Sequence, residues 1–142
     1  MPTNVYVQNE LPVSVTVDTS VTPALSDKYW SNPSGPVSAP PGPPVEICWM
    51  DRDIGITNGN TWVFTSAASV GGSPVQMQEQ VTGTAVSSII AIQVTAAGRS
   101  TGWQDEGAAL TFTAADNNTY QVVGKFVSAS TYDNVIYTAI KL

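Results

Sequence analysis

The chain has no histidine among its 142 residues and a single cysteine, Cys48. Without histidine there is no Ser-His-Asp or Cys-His catalytic apparatus and no histidine-based zinc site. One cysteine forms neither an internal disulfide nor a Cys-rich metal cage. No P-loop or dinucleotide fingerprint occurs, and neither metal nor cofactor is expected. Charge is scarce: 11% of residues are Asp, Glu, Lys or Arg, well under the usual quarter. The basic residues Lys28, Arg52, Arg99, Lys125 and Lys141 are scattered. A phosphate backbone needs clustered cations, so no nucleic-acid partner is expected. The net charge of −6 disfavours anionic membranes but not neutral lipids. No stretch approaches the roughly 18 apolar residues of a membrane helix. The start, Met1-Pro2-Thr3-Asn4, lacks the basic region and apolar run of a signal peptide. A cytoplasmic location is therefore the default expectation, with release from the cell left open.

Leucine is also rare. Leu11, Leu25, Leu110 and Leu142 are the whole set, whereas valine and isoleucine are abundant. Branching at Cβ favours strands, and no window sustains a 3.6-residue apolar period. Apolar residues make up 42%, ordinary for a globular chain. A chain of this length buries roughly 70% of the surface its unfolded form exposes, so one core suffices. The expectation is a single domain over residues 1–142.

Along the chain, period-2 alternation marks strands. Val5 and Val7 oppose Tyr6. Leu11, Val13, Val15 and Val17 share a face over 11–17, after a turn at Asn9-Glu10. Residues 20–44 carry Pro23, Pro33, Pro36, Pro40, Pro41, Pro43 and Pro44. They read as a stiff strap over one sheet, anchored by Tyr29-Trp30; a ligand-binding loop and a disordered segment are the alternatives. Strands resume at 45–50, with Val45, Ile47 and Trp49 on one face, and at 61–66. Trp49 and Trp62 are expected in the core. Gln76, Gln78 and Gln80 against Val75, Met77 and Glu79 suggest an edge or exposed strand, the glutamines forming a solvated polar face or an assembly contact. Apolar residues of both parities over 84–95 suggest a central, doubly covered strand. A long turn at 97–107, a strand from Leu110, a hairpin turn at Asp116-Asn117-Asn118 and strands at 119–127 and 133–141 complete the chain. About nine short strands and no helix point to an all-β, antiparallel two-sheet sandwich.

Carboxylates can still do acid–base work or hold calcium. Asp51 with Asp53, Asp105 with Glu106, and Asp116 with Asn117 are the local groupings. Turn chemistry, with carboxylates accepting from backbone N–H groups, is the expected reading of each. The 98–107 turn stands out more. Trp103 lies there among Arg99, Asp105 and Glu106, between Gly102 and Gly107. An aromatic plane beside hydrogen-bonding groups suits a sugar ring or a membrane interface; a lid folded over the sandwich end is the structural alternative. Tyr29 and Trp30 are further binding candidates.

Val5-Tyr6-Val7-Gln8-Asn9, and Ala97-Gly98-Arg99-Ser100 with Gly107 and Phe112, resemble motifs of the aegerolysins. These are small acidic β-sandwich proteins that bind membrane lipids, some forming pores with a partner. The spacing between the motifs is longer here, and the family's aromatic-rich stretch after the second is missing. Tyr29-Trp30, Asp51-Arg52-Asp53 and Asp133-Asn134-Val135-Ile136-Tyr137 resemble pieces of the AidA/PixA inclusion-body proteins, β-sandwiches of which some are lectin-like, though in a different order. Both resemblances imply non-enzymatic binding. The expected function is recognition of a neutral ligand, a glycan first and a membrane lipid headgroup second. The rival is a structural or self-assembling subunit of a filament, coat or inclusion body, and a homo-oligomer is open under either.

Overall fold

Alternating residues can bury only one face of a strand, and here they do so on two facing sheets. The computed structural model describes residues 2–31, 35–51, 60–83, 88–129 and 132–142. One sheet has five strands in the order β4 (Val45–Asp51), β1 (Pro2–Asn9), β11 (Tyr132–Lys141), β10 (Thr119–Ala129) and β9 (Gly107–Thr113). The other has six: β3 (Val37–Ala39), β2 (Val15–Thr22), β5 (Thr61–Val70), β6 (Ser73–Gly83), β7 (Ser88–Ala96) and β8 (Arg99–Ser100). The two-sheet sandwich expected from the sequence is thus present. All pairings are antiparallel except β1 with β11, which run parallel in the register Val5↔Val135, Val7↔Tyr137 and Asn9↔Ala139. No helix among the described residues is long and apolar enough to cross a membrane.

The core is the space between the sheets. Val5, Val7, Val135, Tyr137 and Val122 enter it from one side; Val17, Phe64, Met77, Val81, Ile92 and Val94 enter from the other. Each such aliphatic or aromatic side chain contributes roughly 1.5–3 kcal/mol on burial. Contacts join the two sheets along both open sides of the sandwich. On one side the Pro-rich segment crosses between sheets. Trp30 bridges Met50 on β4, Ser31 N–H donates to Trp49 O at 3.1 Å, and the same segment then forms β3 beside β2. On the other side Arg99 of β8 donates from Nη1 to Thr111 O of β9 at 2.8 Å.

Several local readings change. The 11–17 alternation is broken because 10–14 is the turn and β2 begins at Val15, which leaves Val13 63% exposed while Leu11, Val15 and Val17 are buried. Asn9 holds that turn from inside: Nδ2 donates to Val13 O (2.7 Å) and Ala39 O (2.9 Å), and Oδ1 accepts from Leu11 N–H (2.9 Å). In β4 the register against β1 shifts between Val5/Cys48 and Tyr6/Glu46. This bulge reverses parity, so Cys48 and Met50 are buried alongside Ile47, and Trp49 is only half-buried. Trp62 is half-buried against the core. The Gln-bearing strand β6 lies inside its sheet, between β5 and β7, rather than at an edge.

Candidate functional site

The outer face of the six-stranded sheet carries a continuous row of hydrogen-bonded neutral side chains. Thr65, Gln78 and Gln93 are in register across β5, β6 and β7. Gln78 Nε2 donates to Thr65 Oγ1 at 2.9 Å, and Gln93 Nε2 donates to Gln78 Oε1 at 2.7 Å. Ser100 Oγ donates to Gln93 Oε1 at 3.2 Å, and Gly102 N–H donates to Ser100 Oγ at 3.1 Å. Each amide donates once within the row, so each keeps a second N–H for a ligand. Asp18 is the one charged side chain on the strands of this face among the described residues.

The row leads to Trp103. Ala97 (φ 51) and Gly98 (φ 73) form the tight turn after β7, both in the left-handed region that two-residue hairpins require. The chain then doubles back along β7. Gln104 and Ile92 exchange both backbone bonds at 2.8 Å, Thr101 N–H donates to Val94 O at 3.0 Å, and Gln104 Nε2 donates to Thr101 O at 2.9 Å. The Ile92 side chain is buried between the sheets. Trp103 precedes the Gln104–Ile92 bridge by one residue and is half-buried. Trp103 thus follows directly on Gly102, where the row ends, in a segment tied to β7 through Thr101 and Gln104.

The sequence-derived candidates separate into two places. Arg99, Trp103, Asp105 and Glu106 lie together at the β8–β9 side. Asp105 and Glu106 are exposed beside Trp103, whereas the Arg99 guanidinium is engaged with Thr111. Tyr29 and Trp30 lie at the opposite side, against β4. Trp30 is only 5% exposed, edge-on to Phe64 with centroids 5.8 Å apart, and its Nε1 donates to Leu25 O at 3.2 Å. It anchors the strap, and its ring is closed to a ligand. Tyr29 is half-buried against the core, with the Lys28 ammonium 5.4 Å from its ring centroid. Asp53 and Arg52 lie outside the described residues. No group of three or more His, Cys, Asp or Glu able to hold a metal occurs among the described residues.

The sequence reading missed one chemically unusual group. Glu79 points between the sheets with no exposure, on the same parity as Val75, Met77 and Val81. Tyr137 Oη lies 2.5 Å from Glu79 Oε2 and 3.0 Å from Gln78 O. The phenol O–H faces both acceptors and donates to them as a shared bond, the carboxyl oxygen being the nearer. Burial drives the Glu79 pKa up to about 8, opposed in part by the Tyr137 hydrogen bond. Burial, and after it Glu79, likewise push up the Tyr137 phenol and the nearby Cys48 thiol. Glu79 Oε1 has no partner. Gly124 makes room for this cluster, since a Cβ there would stand 2.8 Å from Tyr137 Cε1. The group is sealed from solvent and substrate alike.

Compared with known proteins, the chain matches no family model, no curated protein and no solved structure.

Proposed function

We propose that this protein is a non-enzymatic binder of a neutral ligand, a glycan, taken up on the outer face of the six-stranded sheet where the amide row meets Trp103. One observation carries the reading: the hydrogen-bonded row Thr65, Gln78, Gln93 and Ser100 runs on to the N–H of Gly102, the residue before Trp103. A sugar presents an apolar C–H face and a rim of hydroxyls. The ring of Trp103 matches the first. The spare amide N–H groups and the carboxylates of Asp105 and Glu106 match the second. A neutral lipid headgroup is the next ligand such a surface suits. A glycan and lipid array on the purified protein tests the reading. Retention of neutral glycans is expected, and binding to no glycan would overturn it.

The self-assembling alternative draws on the same face, which is broad and nearly uncharged and could meet a second copy. The sheet edges support the binder instead. β3 and β8 are short, Trp30 and Ser31 lie along β4, and Arg99 reaches over to β9. Edges of this kind resist edge-to-edge growth. Light scattering at rising concentration separates the two: a binder keeps one small size, and an assembler grows.

A further inference from the structure

A concavity lies at one end of the sandwich, and neither the Gln78–Gln93 row nor the 98–107 turn lines it. It encloses 420 Å³ between the 11–13 turn, the β5–β6 turn at 69–72, the β9–β10 hairpin turn and Lys141, within the size range of small-molecule sites. Its floor is built with care. Gly71, at φ 58, has no room for a Cβ, because the Tyr120 ring and Ala114 occupy that space. Tyr120 thereby lies flat over the turn and donates its hydroxyl to Asp116 Oδ2 at 2.5 Å, while Asn118 N–H donates to Oδ1 at 2.9 Å. The turn is fixed to its neighbours: Asp116 N–H donates to Gly71 O (3.1 Å) and Ala115 N–H to Ser73 Oγ (2.8 Å).

Asp116 is exposed and anionic. The Tyr120 hydroxyl first, then the Asn118 backbone N–H, hold its carboxyl below the usual range. A carboxylate offers about four lone-pair sites, and two are used here. Lys141 lines the same cleft and acts on Asp116 through its charge, yet the two do not close into an ion pair among the described residues. The cleft therefore presents a fixed anion and a separate cation. Its remaining wall is apolar, formed by Leu11, Pro12 and Val13. Val13 is 63% exposed, and Leu142, next to Lys141, is 65% exposed.

We infer that this cleft binds a small zwitterion, its ammonium group at Asp116 and Tyr120, its anionic oxygens at Lys141, and its apolar part against Pro12 and Val13. A free amino acid and a phosphatidylcholine headgroup share this chemistry. The site is independent of the glycan reading, because none of its residues belongs to the Thr65–Gln78–Gln93–Ser100 row or to the 98–107 turn.

The test is an amide NMR titration of the full chain with L-leucine and with glycerophosphocholine, alongside flotation with phosphatidylcholine vesicles. Saturable shifts are expected at Gly71, Gly72, Asn118 and Tyr120. Asp116→Asn, which keeps an acceptor for Tyr120, and Lys141→Gln should each weaken binding roughly tenfold or more, the scale of losing one charge-assisted contact, with spectra otherwise unchanged. Response to leucine alone assigns a free amino acid; response to glycerophosphocholine with vesicle flotation assigns the lipid headgroup. If neither zwitterion produces saturable shifts, or if both variants bind as the parent does, the inference is wrong.

Discussion

Replacing Glu79 by Gln should remove most of the protein's pH-dependent stability between pH 5 and pH 8. In the unfolded chain the carboxyl titrates near its ordinary value of 4.5; in the fold it titrates at about 8. Below pH 4.5 both states hold the proton and this group adds no slope. Between the two values the unfolded chain ionises and the native one does not, so unfolding releases a proton and stability falls as pH rises. Above pH 8 the native carboxyl ionises as well and the loss stops growing. One pKa unit is worth about 1.4 kcal/mol, so from pH 5 to pH 8 this single group removes about 4 kcal/mol. That is a large share of the 5–15 kcal/mol typical of a domain. A glutamine keeps the shape and cannot ionise. Its extra N–H lacks a partner and costs about 1–3 kcal/mol at every pH, an offset rather than a slope. Urea unfolding followed by tryptophan fluorescence at each pH gives both curves. The parent should lose stability steadily from pH 5 to pH 8, and Glu79→Gln should lose about 4 kcal/mol less over that range. Equal slopes would mean that Glu79 is already ionised in the folded protein, which refutes the rise in its pKa on burial.

Trp30→Ala should cost about 3–5 kcal/mol, the usual loss for a buried aromatic, and urea unfolding with trypsin cleavage after Lys28 would show the strap released. Gly71→Ala should cost about 2 kcal/mol or more, from its positive φ and the overlap of the new methyl with Tyr120; a thermal melt reads it. Cys48, buried at 2% exposure with its thiol pKa raised by burial, should react with a thiol reagent only at the rate of unfolding. Immediate modification of the native protein would show that the β4 bulge opens to solvent.

Periodicity made most of the fold legible. Val5/Val7, Val15/Val17 and Val75/Met77 announce their inward faces directly. The misreadings arise where a local event breaks the period. In β4 one bulge transfers burial from Trp49 to Cys48 and Met50, and no residue type signals it. At 11–17 the apolar run continues through a turn whose holder, Asn9, is itself fixed by one long-range bond to Ala39. The Gln-rich strand suggests an edge because its outer face is polar, yet polarity there reports solvent, not a missing neighbour. Glu79 was grouped by parity with Val75 and Met77, but nothing in the sequence shows that no cation accompanies its carboxyl between the sheets. For the site, the grouping of Trp103 with Arg99, Asp105 and Glu106 is contiguous in sequence and so visible. The joining of Thr65, Gln78 and Gln93 into one row depends on sheet register, which composition does not encode. Trp30 is the reverse case: its anchoring role was readable from a proline-rich strap that needs something to bury, and its burial by Phe64 removes it from the binding candidates.

The most direct test of the central claim measures binding and melting together in Trp103→Ala, using a neutral glycan retained on the array. Affinity should fall by about 2 kcal/mol or more, the scale of an aromatic hot spot, while stability changes by much less than the 3–5 kcal/mol of losing a buried tryptophan. A sharp fall in melting temperature with glycan affinity unchanged would contradict it, making Trp103 a structural cover over β7 and placing the binding surface elsewhere.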